Sequence, residues 1–490
     1  MKMGGRSRLA RTGAALLALG IICTAAGTAL AEDIPYAGYT YDEWNEPIPS
    51  KTGYLPDEVV YGDRDHTVQL NAPEDMCVAE DSTLYVLDSG NNRVVVLSPA
   101  FALIRVIETF TLPDGGSYTL QNPTGIAVRD GKMWIADYDN QTVVAADTEG
   151  HIYRLIRKPE SATFPQESAF HPQKVLCDSR GNLYVSVLGV YQGAAVFDKD
   201  GEFSDFFGSN SVQVTLSLLM DRFWKSLMNE DQQEQISNYV PVQFTGFDLS
   251  ARDFLYTCTG ANDGNGSRLS RINPNGGNLW SGISAAGDKK VGYYKIHSYP
   301  TSFVDVAVTE EEFLFALDAT KGRIFLYDTE GSPVFVFGGK GTQKGTFAIP
   351  AAIDTDKDSV LVLDKARASI TRFRPTDFGK TVKEALIRYY DGDYDGSRTL
   401  WEQVLTQDGN LFTAYVGIGK ALFYSGEYKE AMHYFRKGCD RENESRAFGE
   451  YRAECLRAAF PALISGLCGL VLLCVVFGLI RRRRRRSTDA

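Results

Sequence analysis

Between residues 57 and 375, short apolar runs alternate with clusters of turn-forming residues, and the alternation repeats. One unit begins at Pro73 and reads PEDMCVAEDSTLYVLDSGNNRVVVL; the next begins at Pro123 and reads PTGIAVRDGKMWIADYDNQTVVAAD. A third begins at Pro172 and runs through NLYVSVLGVYQGAAVFDKDG, and a divergent fourth spans 244–277 with DFLYTCTG and SRLSRINPNG. The fifth carries SFVDVAVTEEEFLFALDATKGRIFLYDTEG, and the sixth begins at Pro350 with PAAIDTDKDSVLVLDKARASITRF. β-branched and aromatic runs split by Gly, Asp and Asn turns are strand chemistry. Roughly four short strands per ~40–50 residues make a propeller blade. Six such units predict an all-β, six-bladed propeller over 57–375.

Closure of the ring is also predicted. FVFGGKGTQKGTFAIP links the fifth unit to the sixth, and residues 59–73 repeat that pattern one residue shorter. The sixth unit stops after three strands, at Arg374-Pro375. Val59–Tyr61 should therefore be the outermost strand of blade six, which removes two unpaired sheet edges. The segment 32–56 before it is aromatic, with Trp44, and is expected along the outer surface. An insert at 213–237 has a different period. Leu216, Leu219, Phe223 and Leu227 recur at helical spacing, with Trp224 and Met228 widening the stripe. It is expected to emerge on the top face, either as a brace or as a lid or docking helix.

After Pro375 the period becomes 34: Gly392-Asp393-Tyr394 is echoed by Gly426-Glu427-Tyr428, and Trp401 by Phe435. With Ile418, Gly419, Leu422, Ala431 and Phe435, the second copy resembles a tetratricopeptide repeat. That resemblance implies a small all-α stalk over 380–459, used as a spacer or as a concave peptide-binding face.

Both ends carry membrane signals. Lys2, Arg6, Arg8 and Arg11 precede an apolar run from Ala14 to Ile22, and Ala29-Leu30-Ala31 supplies small residues before Glu32. This predicts a signal peptide over 1–31. Pro461 to Ile480 is twenty residues without a charge, followed at once by six arginines. That predicts one transmembrane helix (461–480) and a basic cytoplasmic tail (481–490), with the rest of the chain outside the cell membrane. The overall charge of −11 becomes −20 over residues 32–460, which repels phosphate backbones and argues against a nucleic-acid partner. Cys77, Cys177, Cys258, Cys439 and Cys455 are odd in number and irregularly spaced, so no disulfide framework is expected.

Candidate chemistry is sparse. Five histidines are scattered as His66, His151, His171, His297 and His433, and no catalytic residue or metal site is assigned. Asp88, Asp137, Asp318 and Asp364 recur at one place in the repeat. A catalytic group has no reason to recur, so turn capping is expected, against a carboxylate ring for calcium. The better signal is the links between units, which lie on the top face and hold Tyr118, Phe164, Phe170, His171, Trp224, Met228, Tyr293, Tyr294 and Tyr299. Aromatic rings around a concave mouth suit a carbohydrate or a peptide, and they equally suit a packing layer.

The units resemble NHL repeats, on Leu84-Tyr85-Val86-Leu87-Asp88 with Asn92-Arg93-Val94, on Trp134-Ile135-Ala136-Asp137 with Asn140, and on Leu317-Asp318 with Gly322-Arg323-Ile324. The whole chain resembles exported NHL-repeat proteins of Gram-positive bacteria, some of which are associated with carbohydrate import. The resemblance implies a membrane-anchored, extracytoplasmic binding or scaffold protein with a protein partner, such as a transporter, and without a cofactor. The alternative is a propeller hydrolase or lyase acting on sugars or peptides.

Overall fold

The computed structural model describes residues 34–42, 44, 46–208, 243–260, 268–281, 286–288 and 301–486. The expected signal peptide and the insert at 213–237 lie outside the described residues.

The repeats fold as antiparallel meanders, each strand paired to the next in sequence. In four units the second strand is buried at every position, Leu84–Asp88, Leu183–Val187, Leu255–Thr259 and Leu314–Asp318, and in the other two, Lys132–Asp137 and Ser359–Asp364, after the first residue. A strand covered on both faces reads as a continuous apolar run, which is why these stretches do not alternate. Outer strands do take up solvent, as in Leu103–Ile107 with Ile104 and Arg105 exposed. The hairpin before the outer strand turns on a repeated Asp or Asn followed three residues later by Gly. Asp147, Asp198, Asn273 and Asp328 each accept the two backbone N–H groups that close this turn.

Units one, two, three and five supply four strands each. Unit six supplies three, and the strand Tyr54–Tyr61 completes it, pairing antiparallel with Ser369–Pro375 from Tyr61 opposite Ser369 to Tyr54 opposite Pro375. The closing strand is longer than Val59–Tyr61 and begins before residue 57. Unit four supplies only three strands among the described residues, Phe244–Leu249, Leu255–Thr259 and Leu269–Ile272. The expected six full blades are thus corrected to five four-stranded blades and one three-stranded sheet. The inner strands of the units contact one another in cyclic order around a central channel. Apolar side chains between successive sheets form the core, as with Phe164, Phe170, Val185 and Phe197 between units two and three.

The described part of the N-terminal segment does more than coat the surface. Tyr39–Tyr41 pairs with the outer strand of unit five and with Pro47–Pro49, widening that sheet. Asp288 locks it there, accepting hydrogen bonds from Tyr39 and Tyr41 at 2.8 and 2.9 Å and from Lys321 at 2.8 Å, with Arg323 beside them.

Helices follow directly: α1 (Asp377–Tyr390), α2 (Tyr394–Gln407), α3 (Phe412–Tyr424), α4 (Tyr428–Lys437) and α5 (Arg441–Arg486). Thr376 caps α1 by accepting the Gly379 N–H at 3.0 Å. A Cβ on Gly379 would meet the Gly53 carbonyl at 2.1 Å, so only glycine lets α1 lie against the chain just before the closing strand. Phe378, Val382 and Trp401 share one core with Tyr54, Phe335 and Phe337. The helices are therefore fused to the propeller, starting three residues earlier than expected. They lie on the bottom face: Lys383 of α1 bridges Glu311 and Asp358, in the first turns of units five and six. α5 continues without a break through Pro461, and its apolar stretch is long enough to cross a membrane.

Candidate functional site

Of the aromatic residues expected to line the top face, Phe164 and Phe170 do not lie open to solvent. Phe164 and Phe170 are fully buried, Phe164 stacked on Phe206 and edge-to-face with Phe203, Phe170 edge-to-face with Phe197, so of the two readings they form a packing layer and not a ligand surface. Tyr118 is half-buried, and its hydroxyl donates to Asp137 at 2.8 Å. Burial, then this hydrogen bond, pushes its phenol up. His171 stacks on Tyr138 with ring centres 4.4 Å apart. Trp224, Met228, Tyr293, Tyr294 and Tyr299 lie outside the described residues. Among the described residues, no group of three His, Cys, Asp or Glu side chains comes together in a metal-binding arrangement.

Of the recurring aspartates, Asp318 and Asp364 accept backbone N–H groups in the turn after the second strand, as expected of a cap, whereas Asp88 and Asp137 accept only side-chain donors there. Asp88, Asp137, Asp318 and Asp364 are fully buried and accept the backbone N–H groups of Asn71, Gln121, Ser302 and Ala348, each in the link that enters the unit. Units three and four lack this aspartate.

A charged constellation that the sequence reading missed lies in the channel. In units two to six a bulge follows the first residue of the inner strand, so that the next residue but one resumes pairing. That residue is Gly125, Lys174, Gly246, Asp305 or Ala352, and Asp75 holds the same place in unit one. Charged residues thus alternate with small ones around the ring. The small ones are needed, since a Cβ on Gly125 would lie 2.5 Å from the Gln173 carbonyl and one on Gly246 2.6 Å from the Asp305 backbone. Lys174 spans the channel, 2.6 Å from Asp75 and 3.3 Å from Asp305. Each carboxylate also accepts an N–H from the next unit, Ile126 for Asp75 and Ile353 for Asp305.

Two residues further along, Asp248 and Asp354 repeat the device, accepting the N–H groups of Val308 and Val78, each at 2.7 Å. They sit in a bottom-face funnel of about 520 Å³. Burial raises Asp305 to about 7, against the opposing pull of Lys174. Burial also raises Asp248 to about 6, and burial followed by the charge of Asp248 raises Asp354 well above its usual range. Burial opposes the charge on Lys174, but Asp305 and Asp75 outweigh it and hold the ammonium above its ordinary value. The innermost strands have no neighbour on their channel side, and these carboxylates supply the acceptors that such an edge lacks.

A second cavity of about 700 Å³ opens between the propeller and the helices. Tyr41 and Asp328 form its propeller wall, and Tyr390, Val416, Lys420 and Asp440 its helical wall. Lys420 is held by Glu330 and lies 5.8 Å from the centre of the Tyr389 ring.

No known family matches this sequence, and no curated protein matches it. In fold the chain is similar to virginiamycin B lyase from Staphylococcus aureus, at 11% identity over 66% of this chain and 99% of that one, with a TM-score of 0.40. It is likewise similar to a gluconolactonase from Xanthomonas campestris (11% identity, 66% and 89% covered, TM-score 0.38). A third likeness is to an aldose sugar dehydrogenase from Streptomyces coelicolor (10% identity, 67% and 99% covered, TM-score 0.38). These neighbours are propeller enzymes, and the likeness is one of fold alone.

Proposed function

We propose that the chain is a membrane-anchored, extracytoplasmic binding or scaffold protein that holds a protein partner against its bottom face. In this reading the ring is six-bladed and NHL-like, the three-stranded sheet being its fourth blade, and the helices are tetratricopeptide-like. The observation that carries it is the Lys174 bridge to Asp75 and Asp305, which ties up the charged groups at the waist of the channel. A propeller enzyme would want such groups free to meet a substrate. The cavity between propeller and helices is, by contrast, lined by half-buried aromatic and polar side chains suited to a polypeptide. The resemblance to exported NHL-repeat proteins nominates a carbohydrate transporter as the first partner to test.

The test places a photo-crosslinking residue at Val416, inside the cavity, or at Ile104, on the outer strand of unit one, in the full-length chain within its own membrane. Capture of one identified membrane protein from position 416 and not from 104 supports the reading. Equal capture at both, or none, together with turnover of a lactone or glycoside by the purified chain, overturns it in favour of the hydrolase or lyase.

A further inference from the structure

Lys174 meets two carboxyls where one would neutralise it. Its Nζ lies 2.6 Å from Oδ1 of Asp75 and 3.3 Å from Oδ2 of Asp305. The inner strands of units one, three and five bring these groups to one level of the ring, away from solvent. Asp75 and Asp305 are only 4% exposed, and the Lys174 side chain 14%. The oxygens of Asp75 are already divided between two partners. Oδ2 accepts the Ile126 N–H at 2.9 Å, and Oδ1 is turned to the amine. An ammonium and two carboxylates held out of water are costly to keep charged. An amide between lysine and aspartate is neutral, and forming it removes two of the three charges.

We propose that Lys174 and Asp75 condense into an intramolecular isopeptide bond, with Asp305 as the proton carrier. The short hydrogen bond from Nζ to Oδ1 is the path by which the ammonium gives one proton to Asp75. The neutral amine then attacks Cγ of the protonated Asp75 carboxyl, and the C–N bond forms as the carbonyl electron pair moves onto Oδ2. The Ile126 N–H already points at Oδ2 and stabilises the charge that develops there. Asp305 takes a second proton from the nitrogen and passes it to Oδ1. The C–Oδ1 bond breaks, one water leaves, and the electron pair on Oδ2 restores the carbonyl. The nitrogen keeps one hydrogen, and Asp305 ends as the carboxylate it was at the start. No oxidant, metal or second substrate enters the balance.

Burial favours the proton transfers, since it raises both Asp75 and Asp305 against the opposing pull of Lys174. The two carboxylates hold the ammonium above its ordinary value, so the neutral amine is the rare form and the step is slow. It needs to occur only once in each molecule. The product joins units one and three through residues 99 apart in sequence. A link of that span restricts the unfolded chain as a long-loop disulfide does. Among the described residues every cysteine is free, so disulfides supply no such tie there.

Mass spectrometry of the full-length chain, purified from its own membrane and unfolded before measurement, tests the bond. The wild-type chain should be lighter by one water than its processed sequence. Trypsin should release one branched peptide that joins the segment holding Asp75 to the segment holding Lys174. Lys174→Arg and Asp75→Ala should each restore the full mass. Asp305→Asn keeps both partners, removes the proton carrier, and should leave the bond unformed. A wild-type chain at full mass overturns the proposal, as does a branch from Lys174 to Asp305 or a loss of water that persists in Lys174→Arg. A bond that forms as readily in Asp305→Asn overturns the part given to Asp305. The wild-type mass decides even where a variant does not fold.

Discussion

Lys174 stands at the centre of the ring because two bulges and two glycines bring charged strands close enough to share one ammonium. Removing it leaves Asp75 and Asp305 buried and unpaired, a loss that typically costs about 3–5 kcal/mol. Lys174→Met should therefore destabilise the chain strongly at pH 8. At pH 5 the cost should shrink, because Asp305, raised to about 7, takes a proton and no longer needs the partner. Denaturant titrations of the variant and parent at both pH values measure the difference, and a penalty independent of pH contradicts the assignment. The residues of this ring are visible in the sequence as Asp, Gly, Lys, Gly, Asp and Ala at one repeat position. Their meaning is not, because an unseen bulge one residue earlier sets which way that position points. The recurring aspartates were legible as structural because a carboxylate ends the second strand in four of the units, but their shared bond to the link that enters the unit was not, since it joins residues 16 or 17 apart. Phe164 and Phe170 illustrate the converse difficulty, since composition alone places an aromatic ring in a link without saying whether it turns inward.

Among elements, the closing strand has the largest consequence. Excising residues 57–62 removes most of the register between Tyr54–Tyr61 and Ser369–Pro375. No cooperative unfolding transition should remain. Removing residues 34–49 strips the hairpin from unit five and breaks the two tyrosine bonds to Asp288. At about 1 kcal/mol per hydrogen bond, that truncation should lower the melting temperature by only about 4–8 °C. Calorimetry of both truncations decides, and equal melting temperatures refute ring closure as the main restraint. Closure was readable because the link before the first unit echoes the link before the sixth. The hairpin was not, because Tyr39–Tyr41 and Pro47–Pro49 are three-residue strands, too short to show an alternation.

At the scale of the whole molecule, α5 decides where everything else stands. Only its first turns touch the other helices: Ala447 is its last buried residue, and from Leu456 onward its large apolar side chains are exposed. Pro461–Ile480 matches the ~20 residues that span a bilayer core, and six arginines follow. Arginines in that position stay on the cytoplasmic side. In the proposed orientation the acidic propeller lies outside, and residues 448–460 of the continuous helix, about 20 Å at 1.5 Å per residue, separate the last buried residue from the apolar stretch. Protease added to intact protoplasts should therefore remove the propeller and helices and leave a small C-terminal fragment bearing the arginine run. Antibodies to each end read the result on one blot. A propeller that survives intact while the tail is trimmed would reverse the orientation and remove the outside partner from consideration.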